Sequence, residues 1–312
     1  MPTISIIIPV FNAQAFISET LKSIIAQTYQ DWECILVDDF STDNSLEIIN
    51  KIIENDRRIK SISLQKNCGS AKIPLKIGIE KSSSPWIILI GHDDLLAPDY
   101  LYRILEKQRS TLADIVVATV IPFGEKTYTK VLPEAGFNYE QIIEGKDAVS
   151  LTIPDWNINL LGMLTSRYLY ELLYSSFNYK TYMNSDELDD RILLYLSKKV
   201  AFTDACYYYQ ILTTSITRKR SIKLYERLYV DAQLENFVEK QYGIDNILTV
   251  ELRLVRFRNI QYWLQEFWQT RKLYTKNEWF KICYMIYINF KGQNFKKLKI
   301  DFLDKSKKWK RA

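Results

Sequence analysis

The sequence predicts an α/β fold: a mostly parallel sheet with helices on both faces, followed by a helical C-terminal appendage. Three observations carry this. Apolar runs of strand length alternate with helical stripes through the first hundred residues, the pattern of repeated βα units. Two of those runs end in paired aspartates, Asp38-Asp39 and Asp93-Asp94. After Ser221 the strand pattern gives way to helical stripes rich in aromatic residues.

The elements follow in order. Ile4–Val10 is an apolar, β-branched run, and Phe11-Asn12 turns the chain into a helix marked by Phe16, Ile17, Thr20, Leu21, Ile24 and Ile25. Asn12 is placed to cap that helix. Residues 32–37 form a second strand that ends on Asp38-Asp39. Ser41-Thr42-Asp43 offers cap residues for a second helix, whose buried stripe is Leu46, Ile49, Ile52 and Ile53. A third strand covers 59–64, and a short helix over 75–81 is entered at Pro74. Residues 86–90, all apolar, have the length and bulk of a fully buried strand. Further on, 200–203 and 206–210 read as two strands and 213–218 as a loop. The stripe of Leu224, Leu228, Leu234, Phe237, Leu252, Phe257, Trp263, Phe267 and Trp268 marks the helical appendage.

Composition narrows the class. A chain of 312 residues with 47% hydrophobic and 25% charged residues is ordinary for a globular protein. The four cysteines show no C-x-x-C spacing, so neither a zinc site nor a disulfide framework is suggested. His92 is the one histidine, which leaves a Ser-His-Asp triad a single candidate. No window reaches the roughly 18 apolar residues of a membrane span, and the first strand begins at once, so the expected location is cytoplasmic. The net charge of +5 conceals an asymmetry: residues 291–312 hold nine Lys or Arg against Asp301 and Asp304, a net of +7, and the remainder is −2. That basic tail, with Phe295, Leu298, Phe302 and Trp309 interleaved, suits an anionic membrane surface; a solvated helix explains it equally. Nothing resembles a nucleic-acid module.

The aspartate pairs carry the chemistry. Asp93 and Asp94 follow the break at Gly91, just past the carboxyl end of a strand, which is the edge where open α/β sheets bind ligands. Adjacent carboxylates repel unless a cation lies between them or the loop is well hydrated. Mg2+ or Mn2+ holding a diphosphate would meet that need; a solvated loop with Asp94 or Asp99 near a helix start is the alternative. If the strands were neighbours, Asp38, Asp39, Asp93 and Asp94 would share one rim. No G-x-x-x-x-G-K-[ST] and no G-x-G-x-x-G is present, which leaves a nucleotide held by carboxylates and metal in place of glycine amides.

The segments Ile4-Ser-Ile-Ile-Ile-Pro-Val-Phe-Asn12, Gln27-Thr-Tyr29 and Ile35-Leu-Val-Asp-Asp-Phe-Ser-Thr-Asp-Asn-Ser45 resemble glycosyltransferase family 2, of the GT-A, Rossmann-like fold. The resemblance is dense to about Tyr100 and looser to about Thr217. It implies an inverting, metal-dependent transferase of the hexosyl or N-acetylhexosaminyl class. Such an enzyme moves a sugar from a nucleotide-sugar, a UDP-sugar by expectation, to a glycan or lipid-linked acceptor in cell-surface polysaccharide synthesis. It implies a transferase domain at 1–220 (a nucleotide-sugar half to 100, an acceptor half from 101), and the change of pattern after Ser221 sets off a helical domain at 221–312.

By the same resemblance Pro9 and Phe11 border the nucleotide base, Asp39 bonds it with Asp38 beside it, and Asn67 and Gly69 lie near the diphosphate. Asp93 and Asp94 match the last two acids of the Asp-x-Asp-Asp motif, near the ribose and the metal, and Gly91 stands where its first acid belongs. Asp186 matches the catalytic base, with Glu187 its neighbour. A carboxylate must take the acceptor proton as the C1 bond forms, although acids at a helix start also serve its dipole. Asp189 and Asp190 read as such helix-start acids, paired with Arg191. Lys72, Arg218 and Trp156 are candidates for diphosphate or acceptor contacts. Rival readings are a silent nucleotide-sugar-binding homologue and a membrane-associated scaffold.

Overall fold

A computed structural model describes residues 1–124, 130–154, 157–179, 185–212 and 221–291, with backbone alone at 290–291. The order is β1 (Ile4–Val10), α1 (Ile17–Ile25), β2 (Trp32–Asp38), α2 (Ser45–Ile53), β3 (Ile59–Ser63), α3 (Lys72–Lys81), β4 (Trp86–Leu89), β5 (Leu95–Leu96), α4 (Tyr100–Thr111) and β6 (Ile115–Gly124). Then come β7 (Ile142–Ile143), α5 (Gly145–Ala148), β8 (Leu164–Ser166), α6 (Arg167–Ser176), α7 (Asp186–Leu196), β9 (Val200–Ile211), α8 (Arg227–Tyr242), α9 (Ile247–Thr270) and α10 (Lys276–Lys291). Chain contacts divide it into two compact units: Met1–Thr152, Trp156–Asn178 and Asp189–Ser215 form the first, and Ile153–Asp155, Tyr179–Leu188 and Ile216–Ala312 the second.

The first unit is the expected α/β body. Its nine strands among the described residues run β3-β2-β1-β4-β8-β6-β9-β5, with β7 on β9. Pairs β1–β2, β1–β4, β2–β3 and β6–β9 are parallel, and β8 is antiparallel to both β4 and β6. Helices cover both faces, so β1 is apolar on both: Ile6 and Ile8 join the cluster with Leu21, Ile24, Leu101 and Ile104. Ile7 and Val37 face Gly78 of α3 on the other side. A strand buried on both faces reads as a continuous apolar run, which is why the sequence marks it clearly.

Some local expectations change. Asn12 does not cap α1; Phe16 holds that position without a side-chain bond. Pro74 lies in the third position of α3, which starts at Lys72, still within the turn whose N–H groups have no helical acceptor. Trp86 and Leu89 are only half-buried. Residues 200–211 are one strand, in which a step of four positions, from Phe202 to Cys206, runs against a step of two in β6, from Val117 to Thr119. That bulge is the gap read as a break.

The second unit packs α8, α9 and α10 around Tyr225, Leu228, Ile260, Phe267, Ile282 and Met285. Buried charges stitch the helices. Arg256 donates to Glu235 at 2.8 Å and to the Asn289 carbonyl at 3.2 Å, and Arg253 reaches Glu239 at 3.1 Å. Among the described residues no helix is long and apolar enough to cross a membrane.

At Gly78 a Cβ would lie 2.3 Å from Ile7 Cγ2. Overpacking of about 1–3 kcal/mol then outweighs the gain of about 1 kcal/mol from alanine in a helix. Gly78→Ala is therefore expected to destabilise the protein by up to about 2 kcal/mol in urea denaturation, and a raised midpoint would contradict this packing.

Candidate nucleotide-sugar site

The chain adds β2 and β3 on one side of β1, then returns through α3 to place β4 on the other. That reversal is a topological switch point, and the crevice outside the carboxyl ends of β1 and β4 is where such sheets take ligands. Pro9 near the end of β1 and Phe11 just past it lie there, and Gly91, His92 and Asp93 follow β4. The two loops are tied: Ile90 N–H donates to the Ile7 carbonyl at 3.0 Å and His92 Nδ1 to the Pro9 carbonyl at 3.1 Å. Thr20 Oγ1 holds the His92 carbonyl at 2.9 Å. His92 is thus a strut between loops.

The loop after β1 is laced to the loop after β2. Asn12 is left-handed, with φ of 49°, a conformation asparagine tolerates. Its Oδ1 accepts the Thr42 N–H at 2.8 Å, while Ser41 Oγ accepts the Asn12 N–H at 3.0 Å and Ser45 Oγ the Ala13 N–H at 2.7 Å. Asp38 is buried; one oxygen accepts the Ser41 N–H at 3.1 Å and the other, Oδ1, has no partner among the described residues. Asp39 Oδ1 accepts the Cys68 N–H at 2.7 Å, and Asn67 Nδ2 donates to the Asp39 carbonyl at 3.0 Å. Asn67 Oδ1 in turn accepts the Gly69 N–H at 2.9 Å. Gly69 has φ of 74°, which a side chain would strain. The fold therefore gathers Asp38, Asp39, Asn67 and Gly69, but Asp38-Asp39 and Asp93-Asp94 are not on neighbouring strands. β1 stands between them, a separation of roughly 10 Å at two strand spacings.

Asp93 and Asp94 have opposite environments. Asp94 is 2% exposed. Its Oδ2 accepts the Tyr207 hydroxyl and its Oδ1 the Gln210 N–H at 2.8 Å, both from β9. Tyr207 is itself fully buried and its oxygen accepts the Gly91 N–H at 3.2 Å. Burial, and then the charge of Asp93, push the Asp94 carboxyl up to about 7, against the pull of these donors. Asp93 is half-buried, and no described residue donates to its carboxylate. A Cβ at Gly91 would lie 2.4 Å from Asp94 Oδ2, so the missing first acid of the motif leaves room that Asp94 occupies. Among the described residues no cluster of three or more metal-ligating side chains exists. Mg2+ and Mn2+ beside a diphosphate commonly need one or two carboxylates, the phosphates and water supplying the rest. Asp93 meets that requirement.

The remaining candidates lie elsewhere. Asp186 and Glu187 open α7 and belong to the second unit. Glu187 is paired with Arg227 at 3.2 Å. Asp186 is exposed, and partial desolvation, then the Glu187 charge, raise its carboxyl pKa. Lys72 is not a surface lysine: it pairs with Asp189 at 2.9 Å, and both side chains are largely covered. Asp189 is accordingly an ion-pair partner of Lys72, and Arg191 donates to Thr152 Oγ1 at 3.1 Å and to its carbonyl at 3.1 Å. Trp156, Arg218 and the loop over 213–218 lie outside the described residues. Sequence reasoning missed Tyr207 and the Gln210 amide; the run Cys206-Tyr-Tyr-Tyr-Gln210 marks the strand but not which tyrosine faces inward.

Two measurements follow. Burial raises Asp189 to about 6 even with Lys72 beside it. Because this folded value lies above the unfolded one, its contribution is fullest below pH 4 and is lost as pH rises through about 6. Lys72→Met removes the compensating cation, so in urea denaturation it is expected to cost about 2–3 kcal/mol at pH 8 and clearly less at pH 5, where Asp189 is mostly protonated; equal losses would contradict the pair. Tyr207→Phe strips a partner from both Asp94 and Gly91 and is expected to cost about 1–3 kcal/mol of stability, again by urea denaturation; a neutral result would mean the hydroxyl is not holding the carboxylate.

Comparison with known proteins places this geometry. The sequence model of glycosyl transferase family 2 matches residues 5–162. An uncharacterized glycosyltransferase of Haemophilus influenzae is 44% identical over 103 residues, 33% of this chain and 41% of that protein. Glycosyltransferase GlyG of Streptococcus pneumoniae is 25% identical over 301 residues, 93% of this chain and 97% of that one. The crystal structure of S. aureus TarS 1-349 in complex with UDP-GlcNAc aligns with a TM-score of 0.65 and 14% identity over 90% of this chain and 79% of that one, a likeness of fold. With the switch-point crevice, its aspartates and a match across half its length, the chain belongs to glycosyl transferase family 2 and has the GT-A fold with added C-terminal helices.

Proposed function

We propose that the chain is an inverting transferase that moves a sugar from a UDP-sugar to a hydroxyl of a glycan or lipid-linked acceptor, in cell-surface polysaccharide synthesis at the cytoplasmic face of a membrane. The observation that carries this reading is Asp93, a carboxylate without a protein donor among the described residues, at the mouth of the switch-point crevice with Asp94 locked behind it. The UDP-GlcNAc held by the solved structural neighbour favours a uridine donor. Pro9, Phe11, Asp38 and Asp39 border the base, and Asn67 and Gly69 the diphosphate. Asp93 would hold Mg2+ or Mn2+, which when bound neutralises the leaving nucleoside diphosphate. Asp94 serves this reading by fixing the loop that carries Asp93, since both its oxygens are engaged by β9. Lys72 is committed to Asp189 and takes no phosphate role here; Trp156 and Arg218 stay candidates for the acceptor and the diphosphate.

Asp186 is the base. A sugar hydroxyl is far too weak an acid to ionise at neutral pH, so Asp186 takes its proton as the oxygen bonds to C1. The bond from C1 to the phosphate oxygen breaks on the opposite face, and the nucleoside diphosphate leaves with the electron pair. The raised pKa of Asp186 makes it a stronger base than an ordinary aspartate. Glu187 lies beside it, paired with Arg227.

The test is transfer and hydrolysis across a panel of nucleotide-sugars, with and without Mn2+, alongside donor binding by calorimetry. Asp186→Asn is expected to lower kcat by about 100-fold to 10,000-fold with little change in donor Kd. Asp93→Asn is expected to abolish the Mn2+ dependence and weaken donor binding about tenfold, or roughly 1.4 kcal/mol. Tight donor binding without turnover on any acceptor would favour a silent homologue, and no binding of any nucleotide-sugar would overturn the reading.

A further inference from the structure

Helix α10 has two apolar faces. Ile282, Met285, Ile286 and Asn289 form the buried stripe against α9 and the segment around Tyr225. A second stripe points outward: Phe280 is 66% exposed, Tyr284 61% and Tyr287 57%, with Ile288 beside them and Trp279 packed edge-to-face on Phe280. These positions are four, three and one residues apart, which puts them on one side of the helix. An amphipathic helix of a globular body normally turns charged residues outward, so this stripe is unexplained by the packing of its own unit.

We propose that this outward stripe of α10 is a docking surface for a bilayer bearing anionic headgroups. The composition fits an interface, since Trp and Tyr carry an apolar ring and a polar tip suited to the headgroup level. The charge fits as well. Lys276 and Lys281 of α10 are exposed, and residues 291–312, which follow the stripe directly in the chain, carry a net charge of +7. Neither signal anchors a protein firmly by itself; an apolar helix face together with a polybasic stretch does. A second copy of the chain is the alternative occupant, and the test below separates it from a bilayer. The inference is independent of which sugar is transferred, or whether any is.

The full chain is tested by co-sedimentation with vesicles of phosphatidylcholine alone and with about a third phosphatidylglycerol, at low and high salt. Wild type is expected to pellet with the anionic vesicles only, and less at high salt. Phe280→Ser/Tyr284→Ser/Tyr287→Ser is expected to lower the partition coefficient at least tenfold without changing Tm. If that triple variant fails to fold, Tyr284→Ser/Tyr287→Ser is read instead, with an expected loss of several-fold. Vesicle binding unchanged in a folded variant would assign it to the basic segment and overturn the proposal. So would no anionic preference in wild type, or a dimer in light scattering that the substitutions dissolve while vesicles bind nothing. The assay needs no turnover, so its outcome stands apart from that of the donor panel.

Discussion

A buried carboxylate must be hydrogen-bonded or neutralised, and the Asp94 side chain meets that demand with groups from a distant part of the chain. Tyr207 and the Gln210 amide lie more than a hundred residues downstream, on β9. The same tyrosine oxygen receives the Gly91 N–H. One residue therefore locks both ends of the loop after β4. With Asp94 turned in, strand-end geometry leaves Asp93 turned out, and the two adjacent acids acquire different chemistry. Much of the crevice depends on this arrangement, because a loop free to rotate would not hold one carboxylate at its mouth.

The rest of the crevice comes from the position of β1. Both of its parallel neighbours follow it in the chain, β2 on one side and β4 on the other. Loops leaving three adjacent parallel strands must then share an edge. Their lacing is polar and short-range: Asn12 with Thr42, Ser45 with Ala13, Asn67 with Asp39, His92 with Pro9. Residues that read as helix caps serve between loops instead, since Asn12 in a left-handed conformation directs its side chain away from the helix it precedes.

The C-terminal helices are organised differently. Arg253, Arg256 and Glu235 are almost fully covered, and charges removed from water require close partners. Their pairing holds α8 to α9, while Arg256 also binds the Asn289 carbonyl of α10. The helix stripes alone suggested an apolar bundle. The ion pairs were not legible because arginine and glutamate on a long helix ordinarily mark its solvated side.

By itself the sequence determined the strand and helix alternation, the apolar run that becomes β1, the two aspartate pairs and the family. Each rests on local pattern: a strand buried on both faces must be continuously apolar, and motif residues at strand ends stay adjacent to those ends in any parallel sheet. Tertiary structure alone decided that β1 separates the two acid pairs and that 200–211 is one bulged strand. It also decided that Lys72 belongs to Asp189 and that Asp94 faces β9. Those outcomes depend on partners 113 to 117 residues away in sequence for Asp94 and Lys72, and burial of a charge is a property of what surrounds it, which no local pattern records.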